Sequence, residues 1–188
     1  GSNQLTYFDF ATLASLLIFN EFGVDFMVLE IGLGGRLDPV NILDSDVAIL
    51  TNVEMDHQDL LGLDRESIGK EKSAIFRFKK PVILGQRKIP ESVLQKTINL
   101  ENQVYKVGKN FDYQVDNLEK QWSYSFFGDK KIFLPKIKLN NLSVSSLSCA
   151  LTAFYILEQD VNIEIENSLN KTDLKGRCEL IKNRFLLD

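Results

Sequence analysis

Apolar residues at Phe10, Leu13, Ala14, Leu17 and Ile18 recur at three- and four-residue spacing. That period predicts an amphipathic helix over 6–22, with Thr6 as its N-cap and Gly23 as its stop. Residues 24–31 form a nearly continuous apolar run broken only by Asp25 and Glu30, the pattern of a parallel strand covered on both faces and ending at Glu30. Runs at 47–53, 81–84 and 104–107 predict further strands of the same kind. Between them, Asp64 is placed to cap a helix reaching Phe76, with Ile68, Lys72, Ile75 and Phe76 on one face, and a second helix is predicted over 91–100. Strands alternating with helices define an α/β fold with a mostly parallel open sheet flanked by helices.

After Lys109 the period changes to two. Tyr113 and Val115, then Trp122, Tyr124 and Phe126, then Ile132 and Leu134 alternate with polar residues, and Gly128-Asp129 supplies a turn. This predicts a small antiparallel meander. Helical spacing returns at Leu147, Leu151, Phe154 and Tyr155 and again over 163–169, and 179–187 predicts one or two closing strands. The expected organisation is one domain in three parts: parallel α/β over 5–108, the meander over 109–138, and closing helices and strands over 139–188.

Composition changes this picture only by exclusion. The chain has 188 residues, 44% of them hydrophobic, with a formal net charge of −4 and scattered basic residues. No basic stripe is present for nucleic acid, and no apolar run approaches the roughly 20 residues of a membrane span. Two well-separated cysteines, Cys149 and Cys178, fit a reduced, cytoplasmic protein. With His57 as the sole histidine, a zinc site built from several histidines is excluded, and a hard cation held by oxygen ligands remains open.

Ligands in open α/β sheets gather at the carboxyl ends of parallel strands. There the sequence places Glu30, followed by Gly32, Gly34 and Gly35, and Thr51, followed by Glu54, Asp56 and His57. A carboxylate and an imidazole on one rim suit magnesium. Pairing of Glu30 and Asp56 with Arg36 or Lys72 is the structural alternative, and Lys72 itself fits a snorkelling or ion-paired lysine. The glycines do not open a helix, since Leu37 and Asp38-Pro39 follow, so a dinucleotide fingerprint is not met. No G-x-x-x-x-G-K-[ST] loop occurs either.

Four ordered blocks carry a resemblance: "LTYFDFATLAS", "VLEIGLGGRLDPVNILDSDVAILTNVEMDHQDLLG", "DRESIGKEKSAIF" and "LKGRCELI". Together the sequence resembles the folylpolyglutamate synthase / dihydrofolate synthase family, within the muramyl-type ATP-dependent ligases. The likeness is strongest over 5–85, weak through the meander, and returns over 174–181. It implies a P-loop NTPase-like ligase core, ATP and magnesium as cofactors, and L-glutamate joined to dihydropteroate or a folate through an acyl phosphate. By that resemblance Glu30 matches a magnesium ligand, His57 a ligand of a second magnesium, and Lys72 a lysine that is carbamylated. Thr6, Phe8, Asp38 and Pro39 match the pterin and folate side, and Ser146, Arg177 and Asp188 the nucleotide side.

There are departures. Ser146 stands where many members have asparagine, Pro39 where a small residue is usual, and Cys178 where an aromatic is common. The family's P-loop and glutamate-binding domain are not found in the sequence, and Gly1-Ser2 reads as a cloning remnant. The expectation is a central piece of an ATPase domain that folds but needs missing segments of its parent chain for activity. A muramyl-peptide-type ligase and a catalytically silent binding module are the competing readings.

Overall fold

Three short apolar runs lie side by side in parallel: Ala48–Leu50 (β1), Val82–Leu84 (β2) and Val104–Lys106 (β3), in the order β1-β2-β3. The register pairs Ala48 with Val82 and Ile83 with Tyr105. All three residues of β2 are fully buried, as expected of a central strand with ladders on both edges and cover on both faces. Its alternation divides the core. Val82 and Leu84 pack with Leu50, Val53, Ile68, Phe76 and Val93, while Ile83 joins Val107, Phe111, Trp122, Tyr124, Ile137 and Cys149 on the other side. The structure is a computed structural model that describes residues 4–55, 58–128, 131–157, 165–172, 179–181 and 185–187.

The helices follow the predicted spacing closely. Tyr7–Phe22 (α1) is capped by Thr6, whose hydroxyl accepts from the Asp9 N–H while the Asp9 side chain accepts from the Thr6 N–H, and it stops at Gly23 with φ of 60°. Gln58–Leu61 (α2) is a single turn. Arg65–Lys72 (α3) is capped by Asp64 through the Ser67 N–H, and then tightens into a 3-10 turn over Ser73–Ile75 rather than running on to Phe76. Glu91–Asn99 (α4) packs on α3. Its N-cap is Pro90, which offers no side chain, so Glu66 of α3 accepts instead from the Glu91 and Ser92 N–H groups at 3.0 and 2.7 Å.

The run over 24–31 is not a strand. It is irregular throughout, and Val28 is 93% exposed. Apolar composition favours a parallel strand only where a ladder partner and two covering layers exist, and among the described residues β1 hydrogen-bonds to β2 alone. The same region leaves α1 largely uncovered: the helix forms as predicted, yet Phe10 and Leu17 are 65% and 72% exposed and Thr12 is its sole buried residue.

The meander is Phe111–Asp116 (β4), Gln121–Phe127 (β5) and Lys131–Lys138 (β6), antiparallel and in that order, with a register irregularity at Trp122/Tyr124. Its buried face packs on Val144–Leu157 (α5), where Tyr124 and Thr152 share a 2.8 Å hydrogen bond and the rings of Tyr124 and Tyr155 stack at 6.1 Å. Ile165–Lys171 (α6) lies against β6, and Glu179–Ile181 (β7) pairs antiparallel with Phe185–Leu187 (β8). Asp129 of the expected turn lies outside the described residues, as does Cys178.

Burial pushes the Cys149 thiol up to about 12. A folded pKa above the unfolded value of roughly 8.5 gives stability that is complete below that pH and declines as pH rises toward 12. Urea midpoints are therefore expected to fall between pH 8 and pH 10, and to fall less in Cys149→Ala. At pH 8 Cys149 should resist a thiol reagent until the chain unfolds, as peptide mass spectrometry of the labelled protein would show.

Candidate active site at the strand ends

Beyond the carboxyl ends of β1 and β2, three segments meet. Gly85, which follows β2, is wedged between the β1 end and α5: a Cβ there would lie 2.6 Å from Cys149 Sγ and 2.7 Å from the Thr51 carbonyl oxygen. The Ser145 hydroxyl donates to the Gly85 carbonyl at 3.3 Å, so the start of α5 is tied to the end of β2. Ser146 sits exposed in the first turn of α5, with its N–H donated to the Ser143 hydroxyl at 3.3 Å. The loop after β1 is held by side chains. Gln86 Oε1 accepts from the Val53 N–H at 3.1 Å, Arg65 Nε donates to the Val53 carbonyl at 2.9 Å, and Gln86 Nε2 donates to Glu54 at 2.5 Å.

The glycine turn after Glu30 has a physical reason at two positions. Gly34 takes φ of 70°, where a side chain is strained. Gly35 lies so close to the end of α3 that a Cβ would be 2.6 Å from the Glu71 carbonyl oxygen and 3.1 Å from that of Lys72. The turn that follows Glu30 therefore rests directly on the backbone carrying Lys72. Arg36 completes the contact through a 3.0 Å ion pair with Glu71, not with Glu30. Glu30 is exposed and Lys72 half-buried.

Asp38 organises the next stretch. One carboxylate oxygen accepts from the Gly32 and Leu33 N–H groups at 2.9 and 3.0 Å, and the other from Val40 at 2.9 Å, capping the 3-10 turn Pro39–Ile42. Proline at the first position of that turn suits its fixed φ. Phe8 reaches the same place from α1, since a Cβ on Gly32 would lie 3.4 Å from Asp38 Oδ2 and 3.8 Å from the Phe8 ring. Beside them opens a cleft of about 270 Å³ lined by Leu5, Asp9, Thr12, Arg36, Asp38 and Pro39, among others. The Thr6 N–H and hydroxyl hold the Asp9 carboxyl below its usual range.

Asp38 and Pro39 thus line one cleft, Thr6 bonds to Asp9 of its wall, Phe8 approaches Gly32 beside Asp38, and the turn after Glu30 meets the backbone of Lys72. His57, Arg177 and Asp188 lie outside the described residues, among which no three metal-binding side chains cluster. Sequence reasoning missed the residues that hold the loops. Arg77 donates to the carbonyls of Asn41, Leu43 and Ala74 and pairs with Asp44, and Arg65 and Gln86 pin the loop after β1. Isolated polar residues beside a helix or strand end carry no periodic signal. Apart from Ala74, their partners lie 12 to 36 positions away.

A parallel α/β core with its glycine turn seated on a helix end belongs to a known class: the Mur ligase middle domain profile matches residues 2–156, and the chain belongs to that family. Among curated relatives it is 36% identical over its whole length to dihydrofolate synthase/folylpolyglutamate synthase of Buchnera aphidicola subsp. Schizaphis graminum, and 33% identical over 96% of its length to that of Escherichia coli. It spans 45% and 42% of those proteins, less than half of each. Its fold superposes on E. coli FolC in complex with DHPP and ADP with a TM-score of 0.86 at 34% identity, covering 96% of this chain and 43% of that one. The Yersinia pestis bifunctional folylpolyglutamate synthase/dihydrofolate synthase, complexed with AMPPNP and Mn ion, gives 0.84 at 36% identity, with 96% and 43% covered. Among the described residues no helix is long and apolar enough to cross a membrane.

Gly35→Ala should separate the turn from α3, because the obstructing atoms are backbone carbonyls that cannot swing aside. A loss of about 1–3 kcal/mol in urea unfolding is expected, with faster amide exchange over residues 30–38. An unchanged midpoint would contradict the close packing.

Proposed function

We propose that the protein carrying this chain is an ATP- and magnesium-dependent ligase that adds L-glutamate to dihydropteroate or a folate. The observation that carries the reading is the seat of Gly35 on the end of α3. It joins the turn after Glu30 to Lys72 on one side and to the Asp38 cleft on the other, so nucleotide chemistry and acceptor binding share one continuous piece of backbone.

The donor set fits magnesium. Glu30 offers a carboxylate, carbamylation of Lys72 would convert a cation to an oxygen donor, and His57 is assigned to a second ion; oxygen-rich sites with few protein ligands are what magnesium takes beside phosphates. Magnesium supplies charge neutralisation on the phosphates when bound. The chain's own part is positioning. Phe8 offers an aromatic face to a flat pterin, and Asp38 and Pro39 shape the wall of its cleft. Both Asp38 oxygens already accept backbone N–H groups, so we assign it chiefly to holding that wall, with remaining lone pairs for the acceptor. The acceptor's carboxylate takes the γ-phosphoryl group of ATP with loss of ADP. The glutamate amine then attacks the acyl phosphate, and phosphate leaves from the tetrahedral intermediate.

Ser146, Arg177 and Asp188 are assigned to the nucleotide side. Ser146 sits in the first turn of α5, which is tied to the β2 end through Ser145. The phosphate cradle and the glutamate-binding domain are assigned to those parts of the relatives that this chain does not span, and the 188-residue chain alone is expected not to ligate. A cytoplasmic location accords with these assignments.

The test is glutamate ligation by the protein carrying this chain, with dihydropteroate and tetrahydrofolate supplied separately. Glu30→Ala, His57→Ala and Lys72→Ala should each lower kcat by at least roughly a hundredfold, the scale of losing a transition-state electrostatic contact. A folded, nucleotide-binding protein that ligates neither acceptor but accepts a muramyl peptide would replace the folate reading.

A further inference from the structure

We infer that Arg65 and Gln86 are positioning residues for the loop after β1, holding residues 53–54 in one fixed geometry at the strand-end rim. What the loop carries rests on the reading above; how it is held rests on the hydrogen bonds alone. The last rung of β1 is the bond from the Gly85 N–H to the Leu50 carbonyl at 2.9 Å. Val53, three residues on, is fully buried, so its peptide groups need partners inside the protein.

Side chains from two other elements provide them. Gln86 Oε1 accepts from the Val53 N–H at 3.1 Å, and Arg65 Nε donates to the Val53 carbonyl at 2.9 Å. The two supports are themselves joined, because Arg65 Nη2 donates to Gln86 Oε1 at 3.1 Å and to the Lys88 carbonyl at 2.8 Å. The remaining Gln86 group, Nε2, donates to Glu54 Oε1 at 2.5 Å and so orients a carboxylate on the rim.

The chemistry of each residue is specific. Arg65 serves three acceptors on the β1 loop and on the segment after β2 from two separate nitrogens, Nε and Nη2, a spread that a planar fork has and the single nitrogen of an ammonium lacks. Gln86 uses its oxygen for the buried peptide and its nitrogen for the exposed carboxylate, a division that neither a hydrocarbon nor a hydroxyl reproduces. Arg87, one position along, pairs instead with Asp112 at 2.6 Å and takes no part in this network. On the reading above this loop leads to a magnesium ligand, and the loss of supports around such a ligand weakens metal binding.

Gln86→Met and Arg65→Lys are compared with wild type and with Arg87→Met. The first readout, amide hydrogen exchange by mass spectrometry, needs no ligand. Peptides over 51–55 should lose protection by roughly tenfold in the first two variants, stay unchanged in Arg87→Met, and leave α4 unaffected in all. The second is the magnesium concentration giving half-maximal glutamate ligation by the protein carrying this chain. It should rise roughly tenfold while kcat at saturating magnesium is retained, a split that a merely structural defect does not produce. Unchanged exchange in both variants overturns the inference, and so does an unchanged magnesium requirement in an active protein. If the wild type does not ligate at all, the glutamate-ligase reading fails, and the exchange result still decides whether Arg65 and Gln86 hold the loop.

Discussion

The complete burial of β2 is the constraint on which the rest depends. Three residues, Val82, Ile83 and Leu84, carry ladders on both edges and divide the core into two faces. Such a strand tolerates no polar group and no change of register, because a shift of one residue would exchange the partners of both faces. The residues directly after it, Gly85 and Gln86, are therefore fixed in space. Gly85 meets β1 and α5 at distances that exclude a side chain, and Gln86 reaches back to Val53 and Glu54.

From that fixed point the site is assembled by backbone contacts more than by charge. The Gly35 turn rests on the carbonyls that end α3, and Asp38 gathers three amides into a loop beside the cleft. Arg77 and Arg65 tie separate loops to the helices they flank, through carbonyl oxygens that would otherwise lack donors. On the proposed reading the site works by placing reactants together, and such catalysis needs this kind of stiffness because it cannot tolerate misplacement.

The chain also shows the limit of an apolar pattern. Residues 24–31 have the composition of a buried parallel strand, and α1 has a well-formed apolar stripe, yet both leave large side chains open to solvent. Composition states what a segment would bury if cover were available; it does not supply the cover. The helix survives this because its hydrogen bonds are internal and its ends are capped. The strand does not, because its bonds must come from a neighbour.

Much of this protein was set by sequence alone: the helices with their Thr6 and Asp64 caps, the change from parallel runs to the alternating meander, and the family blocks that gather Glu30, Lys72, Asp38 and Phe8 as candidates. The caps and the change of period are local properties, written within a few residues, whereas the candidates come from the family resemblance. The tertiary structure alone decided that Arg36 pairs with Glu71, that Asp38 spends its oxygens on its own loop, and that Arg65, Arg77 and Gln86 hold the loops around the site. Each of these joins groups brought together by the packing of the chain on β2, and a polar side chain reveals its partner only once the backbone groups that need one are known.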